Sequence, residues 1–337
     1  MTLEQLRFFV VVYESGLNVT VAARRLQISQ PGVSRQLKEL EEELGLQLFE
    51  RHGRALVRIT PAGEKIIERA TRILREVKNI ARAAAAVRDG SQGSLSIGTT
   101  HTQARYVLPE VIRSFRSRHA NVRLHLHQGT SEQIAQMVER DQVDFAIVTG
   151  SDDLFPQLIR LPIYRWHHAL IAPRGHPLAT AGKLTLEHLA RHAVVTYAFS
   201  LSGNASLYAL FETAGLSLNV SLTARDSDVL KTYVRAGLGV GILASMAIDP
   251  TADADLVVLD GKHLFDGHTT WLGFRRGSLL THYMYEFVGL LAPQFSLRLI
   301  QHLEATQTQE ELEHILQGIR IPPYEGRGST SAKPRPS

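Results

Sequence analysis

The chain has 337 residues, and its 37 Lys and Arg against 33 Asp and Glu give a formal net charge of +4. It contains no cysteine, which excludes disulfides, thiolate metal sites and cysteine nucleophiles. Hydrophobic residues make up 44% of the sequence, a globular composition, and no apolar run approaches the ~20 residues that span a bilayer. The N-terminus lacks the basic region and cleavage site of a signal peptide, so we predict a cytoplasmic protein of two or three domains that does not enter a membrane.

The excess positive charge lies in the first quarter of the chain. Residues 1–90 contain fifteen Lys and Arg against eleven Asp and Glu, whereas residues 91–337 contain twenty-two of each. A local basic excess favours a polyanionic partner for this N-terminal part.

The first predicted element is a helix over residues 3–14. Its apolar positions recur at helical spacing and would close a three-helix core with the two helices that follow. These positions are Leu3, Leu6, Phe9, Val10 and Tyr13.

Residues 18–44 predict two short helices with a tight break, the pattern of a helix-turn-helix. Asn18 is the expected N-cap of the first helix and Ser29 that of the second. The second helix has a predicted buried stripe at Val33, Leu37, Leu40 and Leu44. Its other face carries side chains suited to base edges and phosphates in a major groove, namely Gln30, Pro31, Ser34, Arg35 and Lys38. The alternative is a small helical subdomain with a solvated polar face.

Two short strands are predicted next, over residues 48–51 and 56–59, around a turn at His52-Gly53-Arg54. They would form the wing of a winged helix-turn-helix. On such a wing Arg51, Arg54 and Arg58 would contact phosphates, which position a protein on DNA without specifying sequence. Each arginine taken singly is better explained as a solvated surface charge, so this prediction depends on the set.

A long helix is predicted from Pro61 to about Arg88, and it carries a sustained heptad seam. The seam positions are Ile66, Ala70, Ile73, Val77, Ile80, Ala84 and Val87. A second copy of the same helix is the simplest partner for this seam, and such a homodimer would present two recognition helices to two half-sites. The alternative, packing on its own globular domain, is disfavoured by the polar Gly-rich linker over residues 89–94.

From Leu95 onward, strands and helices alternate, which predicts a parallel α/β fold. Two similar sets of elements predict two lobes, with chain crossings near residues 149–154 and again near His268. Such a domain holds a small ligand at the carboxyl ends of its strands, between the lobes.

Hydroxyl and amide side chains stand at three of these strand ends. Helix N-termini lined with such groups suit a small anion without a full counter-charge. The residues are Thr100, Thr102, Gln103, Thr149 and Ser202. Taken one at a time, each Thr or Ser is as well explained as an N-cap.

No catalytic centre is predicted. The pairs His125 with His127 and His167 with His168 could contribute to a metal site, but the spacing implies no third ligand, and a structural role is the stronger interpretation. There is no G-x-S-x-G elbow, and the glycines at 237, 239 and 241 precede a strand rather than open a helix. We therefore predict neither an enzyme nor a cofactor.

Residues 1–60 resemble the DNA-binding domain of the LysR-type transcriptional regulators. The resemblance is carried by LRFFVVV, AARRLQISQPGVSRQLKELEEELGLQLFER and ITPAGEKI. The later stretches TTHTQARYVLP, HQGTSEQIA, DFAIVT, KTYVRAGLGVGILASMAIDP and TTWLGFRRGSLL are similar to the CysB/Cbl branch of that family, the regulators of sulfur assimilation.

This resemblance implies a dimeric or tetrameric activator of sulfur-acquisition genes, a homo-oligomer that binds operator DNA and contacts RNA polymerase. Its effector would be an acetylserine-type compound or a sulfate-like anion. The anion site of the branch would fall on the five strand-end residues above, and Tyr164, Trp166 and Lys231 match further positions near the cleft. A LysR-type regulator of an unrelated pathway, with a different small effector, is the stronger alternative. A periplasmic solute-binding protein, the other alternative, would share the two-lobed fold but should carry a signal peptide and lack the first ninety residues.

The expected organisation is therefore α/β overall. It comprises a winged helix-turn-helix over residues 1–60 and a linker helix over residues 61–90. A two-lobed effector domain of periplasmic-binding-protein type follows over residues 91–306, then a short helix with a disordered tail over residues 307–337.

Overall fold

The computed structural model describes residues 1–53, 55–89, 92–150, 158–201 and 206–324, with only the backbone described over residues 85–89. The predictions for Arg54, for Ser202 and for the tail from residue 325 onward lie outside these residues. The chain forms two compact units, one composed mainly of residues 1–93 and the other mainly of residues 94–276 and 283–324.

The N-terminal unit is the predicted winged helix-turn-helix followed by one long helix. Asn18 Oδ1 accepts a hydrogen bond from the backbone N–H of Val21, and Ser29 Oγ accepts one from that of Gly32, so both predicted caps are confirmed. The elements are α1 (Leu3–Glu14), α2 (Val19–Leu26), α3 (Gln30–Leu44), β1 (Phe49–His52), β2 (Ala55–Ile59) and α4 (Pro61–Asp89).

The core of this unit forms where α1, α2, α3 and the start of α4 meet. Val33, Leu37 and Leu40 are fully buried, as predicted for the α3 stripe. The predicted face of α1 is wrong at its two ends, because Leu3 is 50% exposed and Tyr13 is 41% exposed. The helix instead turns the side centred on Phe9 inward, and the buried apolar residues of α1 are Leu6, Phe8, Phe9, Val10 and Val12.

Helix α4 is buried only along its first turns. Ile67 and Ala70 belong to the core of the N-terminal unit. Further along the predicted seam, Ile73, Val77 and Ile80 are 39%, 40% and 68% exposed. These apolar side chains repeat along one face of α4 and are partly exposed in the described part of the single chain.

The second unit contains two five-stranded sheets, one in each lobe. The first sheet has the strand order β4-β3-β5-β12-β6, and the second has the order β11-β7-β10-β8-β9. The strands are β3 (Gly93–Thr99), β4 (Val122–Gln128), β5 (Phe145–Thr149), β6 (Leu158–Trp166), β7 (His168–Pro173), β8 (Val194–Tyr197), β9 (Val220–Ala224), β10 (Val240–Ala244), β11 (Leu256–Leu259) and β12 (His268–Arg275).

Helices flank these sheets, and in the described part of the chain three of them follow β12, the strand by which the chain returns to the first sheet. They are α5 (Leu108–Arg118), α6 (Ser131–Glu139), α7 (Leu186–Ala190), α8 (Leu207–Thr213), α9 (Ser227–Arg235), α10 (His282–Leu291), α11 (Leu297–Ala305) and α12 (Gln309–Leu316). None of the helices in the described part of the chain is long and apolar enough to cross a bilayer.

One predicted crossing between the lobes is wrong. Strands β5 and β6 lie in the same sheet, so the chain does not change lobe after Thr149. It changes lobe at His167, between β6 in the first sheet and β7 in the second, and returns immediately before His268 as predicted. The two crossings lie side by side, because His268 pairs with Trp166 in the antiparallel ladder of β12 and β6.

Candidate functional site

The outer face of α3 presents the predicted DNA-contacting side chains to solvent. Gln30 and Pro31 at its start are exposed, and Ser34 is partly exposed. The side chains of Arg35 and Lys38 are each 74% exposed. Within the described residues, Arg35 lies 3.7 Å from Glu39 and Lys38 lies 3.4 Å from Glu42, loose i,i+4 ion pairs that contribute little at an exposed surface. Both cations can therefore exchange these partners for phosphate at small cost.

Arg51 on the wing is placed differently. Its guanidinium lies 2.7 Å from Oε2 of Glu41, a carboxylate that is only 9% exposed. The other oxygen of Glu41 accepts hydrogen bonds from the backbone N–H groups of Leu48 and Phe49. Glu41 thus fastens the start of the wing to α3, and Arg51 partly neutralises it.

A second constellation, here called the polar cluster, is formed by five uncharged side chains of the first lobe. Gln103 donates from Nε2 to Thr270 Oγ1 at 3.3 Å, and the hydroxyl of Tyr164 donates to Gln103 Oε1. The hydroxyls of Thr149 and Thr270 are 3.2 Å apart, and the Trp166 indole N–H donates to Thr149 Oγ1, also over 3.2 Å. The cluster therefore unites the predicted residues Gln103, Thr149, Tyr164 and Trp166 with Thr270.

Thr270 is the member that sequence reasoning missed. It is fully buried and lies on β12, which pairs with both β5 and β6 and so brings it beside Thr149 and Tyr164. Its place in the cluster depends on this pairing, and the only sequence signal is the paired hydroxyl residues in the stretch TTW.

The backbone at Gln103 has an unusual conformation. Residues Gln103–Val107 form a π-helical turn, in which the N–H of Leu108 bonds to the carbonyl of Gln103. Pro109 has no N–H to offer the carbonyl four residues before it, which removes one α-helical bond at this point. Such turns are rare and occur frequently at functional sites.

Gln103 and Thr102 also touch the second lobe. Gln103 Nε2 lies 3.6 Å from the sulfur of Met246, and the side chain of Thr102 is near enough to the Tyr197 hydroxyl to lower its pKa slightly against the larger effect of burial. Thr100 is half-buried on the same loop, where its carbonyl accepts the N–H of Ala104. The loop after β3 thus lies at the boundary between the two lobes.

Burial controls the ionisation of the two tyrosines at this boundary. It raises the pKa of the Tyr164 hydroxyl well above the ordinary value, and it does the same for Tyr197. Both phenols consequently stay protonated near neutral pH and keep an O–H to donate. The polar cluster can hydrogen-bond a small polar or anionic group, but it has no ionised side chain of its own.

Lys231 is not part of the polar cluster. Its ammonium group donates to Asp253 Oδ2 and to the carbonyl of Ala247, each at 2.9 Å, and lies 3.2 Å from Asp228. A cavity of about 530 Å³ opens beside this charge cluster, with both arginine and aspartate side chains in its walls. The structure therefore places Lys231 in a separate ionic network.

That network joins the two lobes. The Asp228 carboxylate, at the start of α9, accepts a hydrogen bond from the Tyr106 hydroxyl at 2.5 Å and one from the Arg105 guanidinium at 3.0 Å. Both donors belong to the π-helical turn. Burial raises the pKa of Asp228, but the hydrogen bonds from Tyr106, Lys231 and Arg105 outweigh it and hold the pKa at about 2. His101 adds a contact of 3.0 Å to Asp226. Among the described residues, no group of three or more His, Asp or Glu side chains is arranged to hold a metal ion.

A winged helix-turn-helix and a two-sheet α/β domain on one chain are the parts of a DNA-binding regulator with a ligand-binding domain. Residues 3–64 match the family of bacterial regulatory helix-turn-helix proteins of the lysR type, and residues 88–296 match the LysR substrate binding domain. The chain belongs to the LysR family of transcriptional regulators.

Within that family, the chain is similar to regulators named CysB, SsuR and Cbl. The HTH-type transcriptional regulator CysB of Haemophilus influenzae is 42% identical over 321 residues, which is 95% of this chain and 99% of the relative. SsuR of Burkholderia cenocepacia is 41% identical over 296 residues, covering 88% and 96%. The crystal structure of the cofactor-binding domain of the Cbl regulator superposes with a TM-score of 0.60 at 40% identity, covering 64% of this chain and 95% of that domain.

Proposed function

We propose that this regulator controls sulfur-assimilation genes in response to a small effector, an acetylserine-type compound or a sulfate-like anion, held near the polar cluster. The single observation that supports this proposal most is the set of contacts that Gln103 makes in both lobes. Its amide links Thr270 and Tyr164 in the first lobe and approaches Met246 in the second. A ligand that displaces any of these bonds would change contacts in both lobes at once.

The chemistry of the cluster suits such an effector. Hydroxyl, amide and indole groups donate hydrogen bonds to sulfonyl or carboxylate oxygens, and the start of a helix adds unpaired backbone N–H groups. The proposed effector ligands are Thr100, Thr102, Gln103, Thr149 and Ser202, with Tyr164 and Trp166 supporting them. We do not assign Lys231 this role, because its ammonium is engaged with Asp253 and Ala247.

On DNA, Gln30, Ser34 and Arg35 would approach base edges, while Lys38 and Arg54 would hold phosphates. Pro31 would pack beside them at the start of α3. Arg51 would contact phosphate only by sharing its guanidinium with Glu41, so we expect it to contribute less than Lys38.

The exposed seam of α4 supports a homo-oligomer, a dimer or a dimer of dimers, in which the α4 helices of two copies pair. Effector binding would change the angle between the lobes, and the linker helices would convert that change into a different spacing of recognition helices. Altered DNA bending and altered contact with RNA polymerase would follow. Such a regulator would act in the cytoplasm, where it meets the chromosome.

The test is a gel shift on a sulfur-assimilation promoter at fixed salt, with and without O-acetylserine, N-acetylserine and sulfate. Salt is fixed because phosphate contacts make affinity strongly salt-dependent. A shift altered by an acetylserine supports a CysB-like role, and one altered only by sulfate or a related anion supports a role like that of the Cbl-type relatives. No specific shift on such promoters would leave the family assignment standing and would indicate a different pathway.

A further inference from the structure

The last described segment of the chain, residues 319–324, packs along strand β6 and is here called the C-terminal strap. Strand β6 is the edge of the first sheet, with β12 on its inner side. On its outer side, the backbone N–H of Arg165 donates to the carbonyl of Pro322 at 2.8 Å, and the N–H of Tyr324 donates to the carbonyl of Arg165 at 2.7 Å. The strap thus adds a short parallel bridge to the outer edge of β6.

This bridge falls at a position that matters for the lobes. Arg165 is flanked by Tyr164 and Trp166, which both belong to the polar cluster, and the chain crosses to the second lobe at His167. The two backbone hydrogen bonds therefore fix the strand where its side chains reach the cluster and immediately before it leaves the first sheet.

Tyr324 makes the corresponding side-chain contact. Its ring centroid lies 5.1 Å from that of Tyr164, with an angle of 54° between the planes. Tyr164 is only 6% exposed, and its hydroxyl donates to Gln103. The ring of Tyr324 therefore packs against a residue of the polar cluster.

The helix before the strap is fastened to the same strand. In α12, Leu312 is fully buried, and Glu313 forms an ion pair of 3.1 Å with Arg160. Arg160 lies on β6, is 4% exposed and also sits 5.5 Å over the Trp271 ring. The C-terminal segment thus holds β6 at two places, Arg160 and Arg165, five residues apart.

We propose that the C-terminal strap is a positioning element of the effector site, and that Tyr324 acts through Tyr164 to hold Gln103 in its binding geometry. The inference rests on the proposed function for the identity of the effector. Tyr324 is a positioning residue rather than an effector ligand, since its observed contact is with Tyr164. The match to the substrate-binding domain ends at residue 296, so the strap lies beyond the matched residues.

The test compares Tyr324→Ala, Tyr324→Leu and Tyr324→Phe in the full chain, with Arg320→Ala as a control at an exposed position of the same segment. Affinity for O-acetylserine, N-acetylserine and sulfate is measured by calorimetry, and effector-free DNA binding by gel shift. Loss of the ring contact with Tyr164 should weaken effector affinity about tenfold in the Ala and Leu variants. Tyr324→Phe, which keeps the ring, should restore it, and effector-free DNA binding should stay unchanged.

A second readout does not depend on the effector. In a Trp271→Phe background, Trp166 is the remaining tryptophan, and its indole reports on the cluster through Thr149. Its emission should shift in Tyr324→Ala and Tyr324→Leu but not in Tyr324→Phe or Arg320→Ala. Unchanged emission together with unchanged effector affinity overturns the proposal.

The two readouts separate this inference from the proposed function. If the wild-type protein binds none of the three compounds, the effector class is wrong, and Trp166 emission alone decides whether the strap positions the cluster. If Tyr324→Ala does not fold, Tyr324→Leu gives the same comparison with a larger apolar side chain. Equal losses of affinity in Tyr324→Phe and Tyr324→Ala would also contradict a role for the ring.

Discussion

Lys231 Nζ lies 2.9 Å from Asp253 Oδ2, and both side chains are about 95% buried. Removing one partner of such a pair leaves an uncompensated buried charge, which costs about 3–5 kcal/mol. We expect Lys231→Met to lower the free energy of unfolding by a sizeable part of this amount, because Arg235 still neutralises part of Asp253. Urea unfolding of the full chain measures it, with exposed Lys183→Met as the control. Unchanged stability combined with lost effector binding would instead make Lys231 an effector ligand.

Thr149→Val tests the polar cluster. The substitution keeps the shape of the side chain but removes the hydrogen-bond partner of the Trp166 indole and of the Thr270 hydroxyl. Leaving these buried polar groups unpaired costs about 1–3 kcal/mol, which disturbs the polar cluster. The variant should therefore lose its effector response while still binding DNA. Thr213→Val on the exposed face of α8 is the matched control. A full effector response in Thr149→Val would remove this residue from the site.

The double substitution of Thr100 and Thr102 by Val probes the loop after β3. We expect it to abolish the effector response in the gel shift and to leave effector-free DNA binding intact, because both hydroxyls lie in the second unit and not on α3. An unchanged response would show that the loop contributes through its backbone alone.

Arg35→Ala tests the recognition face of α3. If Arg35 contacts a base, specific binding should weaken by about 1–3 kcal/mol while binding to random DNA changes little. Gel shifts on both DNAs at one salt concentration measure this, with Arg7→Ala, exposed on α1, as the control. Equal losses on the two DNAs would identify Arg35 as a phosphate contact.

His168 and His268 give the crossing between the lobes a pH dependence. Their ring nitrogens are 3.2 Å apart, and burial together with the neighbouring His268 and His167 lowers the pKa of His168 to about 3. A lowered pKa means that the unfolded chain takes up the proton first. The contribution of neutral His168 to the free energy of unfolding is complete above about pH 6.5. It is lost as the pH falls from there toward 3, by about 1.4 kcal/mol per pH unit.

His168→Phe should therefore flatten the decline of the unfolding free energy between pH 6.5 and 5, measured by urea titration at several pH values. His302→Phe, at an exposed position of α11, is the control and should retain the wild-type slope. An unchanged slope in His168→Phe would mean that folding does not lower the pKa of this histidine.

Local sequence patterns predicted the helix caps and the buried stripe of α3 in the N-terminal unit. The caps at Asn18 and Ser29 and the stripe of α3 are local features, in which each residue interacts with neighbours three or four positions away. The exposed ends of the α1 face were mispredicted because periodicity gives the direction of a buried face but not its width.

The sequence by itself determined which residue types stand at the strand ends, and Gln103 and Thr149 were identified from that placement. Only the tertiary structure decided their partners. Gln103 meets Tyr164 across 61 positions and Thr270 across 167, through pairing of β12 with β5 and β6. Lys231 pairs with Asp253, 22 positions later, and not with the polar cluster. Such contacts depend on strand order and register, which are set by packing of the whole sheet and leave no mark in the local spacing of residues.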